Sequence, residues 1–101
     1  MKPLPKIARI LEVEPFKITL LWNTSETREL DFVPLFGQWE AEGDRKMEAL
    51  RDRDTFKQVA IFENRTLCWP NVLVPFTFRG ETRTSSLELD ALELYRQSKL
   101  V

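Results

Sequence analysis

Histidine is absent from this 101-residue chain, cysteine occurs once, as Cys68, and glycine only 3 times. Without histidine there can be no Ser-His or Cys-His nucleophile pair, no histidine general base and no histidine zinc ligand. A lone cysteine excludes an intrachain disulfide and a Cys-rich metal site, and points to a reducing cytoplasm. Apolar runs are short as well. Nothing approaches the ~18 consecutive apolar residues that span a bilayer, and Met1-Lys2-Pro3-Leu4-Pro5-Lys6 has no signal-peptide core behind it. Charge of one sign is also lacking: 15 basic residues stand against 16 acidic ones, interleaved nearly everywhere, so no field gathers nucleic acid and direct nucleic-acid binding is not expected. There is no Gly-rich phosphate loop, no metal-ligand spacing and no helix-turn-helix pair.

What is present reads as one domain over residues 1–101, with 1–6 held extended by Pro3 and Pro5. Residues 7–14 alternate as a strand, with Ile7, Leu11 and Val13 on one side, Arg9 as the exception, and Ala8, Ile10, Glu12 and Glu14 on the other. After Pro15, the residues Phe16, Ile18, Leu20 and Trp22 share a face, Asn23-Thr24-Ser25-Glu26 turns the chain, and 27–32 returns with Leu30 and Phe32 inward. The expectation is a three-stranded antiparallel meander covered on one side. Val33-Pro34-Leu35-Phe36-Gly37 reads as a break in the sheet and 38–43 as an irregular loop. A helix follows over 44–51, with Asp44 as its N-cap and Met47, Ala49 and Leu50 buried; Asp52 or Asp54 caps a further turn that carries Phe56 inward.

The most apolar stretch is 56–71, two short strands joined by Glu63-Asn64-Arg65 and stopped by Pro70. Residues 72–78 form another extended piece with Val72, Val74, Phe76 and Phe78 on one side. Arg79-Gly80-Glu81 turns it, and Thr82-Arg83-Thr84 returns as a short polar edge strand. Asp90 caps a final helix, 91–97, laid on the sheet by Ala91, Leu94 and Tyr95. The fold class is α+β: a small, twisted, mainly antiparallel sheet with short helices packed on it, one of them C-terminal.

Chemistry is sparse. Glu12 and Glu14 share a strand face, where glutamates are ordinarily solvated. Cys68 has no cation nearer in sequence than Arg65 and reads as a small core residue. Trp22 and Trp69 are accounted for by core packing, although with Phe76, Phe78 and Arg79 they also have the makings of a stacking platform. Trp39, between Gln38 and Glu40, is assigned as an anchor for a protein partner, and Thr82, Arg83 and Thr84 as the edge a partner pairs with. Catalytic, metal and cofactor residues: none.

Ile10-Leu11-Glu12-Val13-Glu14-Pro15, Leu30-Asp31-Phe32 with Pro34-Leu35, Leu50-Arg51-Asp52 with Phe56, Thr66-Leu67-Cys68-Trp69-Pro70-Asn71 and 87–95 occur in an order that resembles a small bacterial family, domain of unknown function 2442. The resemblance covers nearly the whole chain. It implies a small α+β domain, sometimes joined to a DNA-binding helix-turn-helix module and often encoded beside another small protein in a toxin-antitoxin-like arrangement. It carries no catalytic residues. The turn 23–26 lacks the family's common glycine, 37–46 is longer and more charged, and the chain ends where a helix-turn-helix would begin. The expected function is therefore a non-catalytic protein–protein interaction module, antitoxin-like or regulatory, whose partner is a small protein encoded nearby or a second copy. A small-molecule sensor with an aromatic-lined pocket is the alternative.

Overall fold

The computed structural model describes residues 4–101, so Pro3 and its assigned role lie outside the described residues. Strands β1 (Ile7–Glu14), β2 (Lys17–Trp22) and β3 (Thr27–Asp31) pair antiparallel as the alternation predicts. In β2 the inward residues Ile18, Leu20 and Trp22 are buried, as a period of two requires. β1 departs from strict alternation. Register shifts after Ile7 and after Ile10 set Ile7, Ile10 and Val13 opposite Trp22, Leu20 and Ile18, against the core. Leu11, set by alternation on the side of Ile7 and Val13, is 47% exposed. A bulge adds a residue to one strand and flips the parity beyond it, which a simple two-residue period cannot anticipate.

The sheet-breaking turn and loop expected over 33–43 are instead helix α1 (Val33–Ala41). Pro34 falls in the first turn, where a missing N–H leaves no bond unmade, and Asp31 Oδ1 accepts from the Val33 N–H at 3.0 Å. Leu35, Phe36 and Trp39 then recur at helical spacing against Phe32 and the core, and this outweighs the helix penalty of Gly37. Residues Arg45–Arg51 form a 3-10 helix rather than an α-helix. It buries Met47 and Leu50 but leaves Ala49 exposed, and Asp44 stands at its N-cap without a side-chain capping bond. Asp52 does cap: its Oδ2 accepts from the Thr55 N–H at 2.9 Å and opens α2 (Arg53–Phe56).

The remaining elements are β4 (Ala60–Phe62), β5 (Thr66–Phe78), β6 (Glu81–Glu88), α3 (Ala91–Gln97) and β7 (Lys99–Leu100). The single sheet read from the sequence is in fact two, ordered β1-β2-β3-β7 and β4-β5-β6. Three helical segments separate β3 from β4, and the second hairpin meets the first sheet through packed side chains and a backbone bond from the Ile7 N–H to the Arg65 carbonyl at 2.9 Å, without lengthening its edge. Trp69 of β5 lies 5.9 Å from the ring of Phe32 and 5.9 Å from that of Phe56, and its Nε1 donates to the Phe56 carbonyl at 2.9 Å. Each of these buried rings contributes roughly 2–3 kcal/mol. Asp90 caps α3 as expected, accepting from the Glu93 N–H at 3.2 Å. The fold is α+β, antiparallel in both sheets, with a C-terminal helix.

Candidate docking surface

β5 does not stop at Pro70. Its ladder with β6 runs Cys68 to Glu88 and Trp69 to Leu87, then resumes from Leu73 with Ser86 to Phe78 with Glu81. Residues 70–72 bulge out between the two stretches, so the proline sits where no ladder N–H is required. Thr82, Arg83 and Thr84 belong to an 8-residue strand, longer than expected, and stand opposite Thr77, Phe76 and Pro75. At the tip, Arg79 and Gly80 have φ of 52° and 79°, the paired positive values of a type I′ hairpin turn.

Beyond the bulge this hairpin is a two-stranded arm. β4 covers β5 only from Thr66 to Cys68, so past that point, among the described residues, the outer edge of β5 is unpaired, as is the outer edge of β6. The radius of gyration is 14.0 Å, against about 13 Å for a compact chain of this length. The arm face continuous with buried Trp69 and Leu87 carries Val74, Phe76 and Phe78, the last two 44% and 49% exposed. Leu73, on the other face, is 65% exposed. The Arg79 and Arg83 guanidiniums lie 5.2 Å and 5.9 Å from the centroid of the Phe78 ring. A two-stranded ribbon is marginal in water by itself, and exposed apolar surface on a free edge is suited to pairing with another chain.

Two clefts open at the root of the arm. One, of about 360 Å³, lies under Val74 and Phe76 with Lys46 and Glu88 in its lining. The other, of about 320 Å³, is walled by Trp39 and lined by Leu35, Met47, Leu89 and Leu94, with Glu42, Glu88, Asp90 and Glu93 among its charged groups. Lys46 and Glu88 line both, so the clefts adjoin. Trp39 is not in a polar loop. It occupies the last part of α1, half-buried, 6.3 Å from the Phe32 ring and 6.0 Å from that of Phe36. Its carbonyl accepts from the Asp44 N–H at 2.9 Å. The fold thus brings Trp39 and the arm onto one connected surface, through groups that sequence reasoning did not single out: Lys46, Glu88 and the rim carboxylates. The alternation of Val72, Val74, Phe76 and Phe78 against a polar return strand was the available signal for the arm itself.

The other singled-out residues lie apart from this surface or are inert. Glu12 and Glu14 are exposed on β1, Glu14 with Lys17 at 3.9 Å. Cys68 is buried; burial pushes its thiol upward, and the Glu88 carboxylate adds to the shift, the reverse of what a nucleophile needs. Trp22 and Trp69 are fully buried and line none of the clefts above. Among the described residues the Trp22 Nε1 has no hydrogen-bond partner. A separate polar cluster joins α3 to the β2–β3 turn. Tyr95 Oη donates to Glu26 Oε1, Arg28 pairs with Glu26 Oε2 at 3.0 Å and lies over the Tyr95 ring at 4.3 Å, and Arg28 Nε donates to Ser98 Oγ at 2.7 Å. These bonds hold the Glu26 carboxyl below its usual range, the Tyr95 bond foremost, and raise the Tyr95 hydroxyl. Among the described residues no group of Cys, Asp and Glu is placed to hold a metal ion, and no helix is long and apolar enough to cross a membrane. No family model, no curated protein and no solved structure matches the chain.

Proposed function

We propose that the chain is a non-catalytic protein–protein interaction module, antitoxin-like or regulatory, that engages a protein partner through the β5–β6 arm. The observation that carries this reading is the exposed Phe76 and Phe78 stripe on a hairpin with unpaired outer edges. Strand addition along β6 supplies main-chain hydrogen bonds without demanding particular side chains of Thr82, Arg83 or Thr84, and the aromatic stripe with Trp39 supplies anchors. The resemblance to domain of unknown function 2442 supports a small, neighbour-encoded partner or a second copy. Burial of Cys68 and solvation of Glu12 and Glu14 support the absence of catalysis. Affinity capture from the source cells, with wild type beside a Phe76→Ser/Phe78→Ser variant, tests the reading. A specific partner held by wild type and lost by the variant is the expected result; capture that ignores the arm contradicts it.

The small-molecule sensor is the second reading, favoured only by the cleft beside Trp39. Its apolar lining and carboxylate rim suit a cationic ligand better than an anionic one.

A further inference from the structure

We infer that the partner seated on this surface is a second copy of the chain, the arm of each protomer lying in the Trp39 cleft of the other. The inference rests on the docking reading above and names its occupant. Charge complementarity carries it. The arm tip presents Arg79 and Arg83 beside two exposed phenylalanines, with Glu81 the one acidic group there. Among the described residues Arg79 makes no ion pair, and Arg83 has only Glu81 at 3.1 Å. The cleft presents the opposite: four carboxylates against the single Lys46, above an apolar lining walled by Trp39. Aromatic rings and guanidiniums are the side chains that dominate such contacts, and an acidic rim around an apolar floor is their complement. Because the arm springs from beside the cleft, with Lys46 and Glu88 shared between them, a two-fold axis across the middle of the arm brings each tip to the other protomer's cleft and makes the exchange reciprocal. Each protomer then gives an arm and receives one, closing the assembly as a dimer rather than a chain. The exchange also covers the stripe that a lone ribbon leaves in water.

Sedimentation velocity on the full chain tests this. Wild type is expected to be dimeric at about 100 μM, with dimer affinity falling about tenfold or more between ~0.05 M and ~0.5 M salt. Arg79→Glu/Arg83→Glu reverses the arm and Glu42→Lys/Glu93→Lys reverses the cleft. Each variant alone is expected to be monomeric with unchanged circular dichroism, and an equimolar mixture to recover a one-to-one heterodimer, since the reversed arm then meets the reversed cleft and the unaltered arm the unaltered cleft. That rescue is beyond the reach of a misfolded variant. A wild type monomeric at every concentration, or a dimer indifferent to both reversals, overturns the inference. Arm-dependent capture of a different protein by a monomeric chain would leave the docking reading standing, so the two fail separately.

Discussion

Phe76 stands directly opposite Arg83 in the β5–β6 ladder, and the Arg83 guanidinium reaches over the neighbouring Phe78 ring at 5.9 Å. A strand that reads as plainly polar thereby frames an aromatic stripe on its partner, and the two together form the surface on which the proposed function depends. Because Phe76 and Phe78 are about half exposed, Phe76→Ser/Phe78→Ser should lower the unfolding free energy by about 2 kcal/mol while abolishing partner binding. Urea denaturation and capture on the same preparation check both halves.

Helix α1 contains a correctable weakness. Gly37 lies in its interior, outside the positive-φ region, and a Cβ added there meets nothing within 4 Å. Gly37→Ala should stabilise the chain by about 0.5–1 kcal/mol. Gly80 also has open space, yet its φ of 79° is left-handed, so Gly80→Ala should cost about 1 kcal/mol or more. Thermal melts of the pair should move in opposite directions.

The two buried tryptophans should respond unequally to phenylalanine. Trp69→Phe removes the bond to the Phe56 carbonyl, which keeps the longer bond from the Val59 N–H at 3.3 Å, and leaves a cavity, for a loss of about 2–4 kcal/mol. Trp22 has no partner on Nε1 among the described residues, so Trp22→Phe loses packing against Tyr95 but also removes an unsatisfied donor, and should cost about 1–2 kcal/mol less than Trp69→Phe. Equilibrium denaturation of the two variants compares them.

Glu26 is held below its ordinary 4.5, first by the Tyr95 hydroxyl and then by Thr24 and Arg28. A depressed carboxylate contributes stability that is present above its unfolded pKa and is lost as pH falls through the folded one. Tyr95 is raised above its ordinary 10.0, so its contribution is present below that value and is lost as pH climbs through the raised one. The stability gap between wild type and Tyr95→Phe should therefore be flat from about pH 5 to about pH 9 and narrow on either side. Denaturation midpoints across that range, taken at constant ionic strength, read it directly.

Much of the fold was legible because its signals are local. The β2 alternation, the Asp52 and Asp90 caps and the hairpin at Glu63-Asn64-Arg65 each depend on a few adjacent residues. What escaped was set by competition or by distance. Pro34 and Gly37 each argue against a helix in isolation, yet the first is tolerated at a helix start and the second is outweighed by the Phe32, Leu35, Phe36 and Trp39 stripe. The bulges in β1 and at 70–72 shift parity without a sequence marker beyond Pro70. Of the candidate surface, Trp39 and residues 82–84 were visible as separate features. Their connection through Lys46 and Glu88 exists only once α1, the 3-10 helix and β6 have come together.

The central claim is that the arm is where the partner binds, and amide hydrogen exchange, followed by peptide mass spectrometry on the isolated chain and on the captured complex, tests it most directly. Amides of residues 72–86 should exchange quickly in the isolated chain diluted until it is monomeric and slow by about tenfold or more in the complex, with Trp39 and its neighbours slowing alongside them. A complex that protects another surface and leaves 72–86 exchanging as in the free chain would contradict the account.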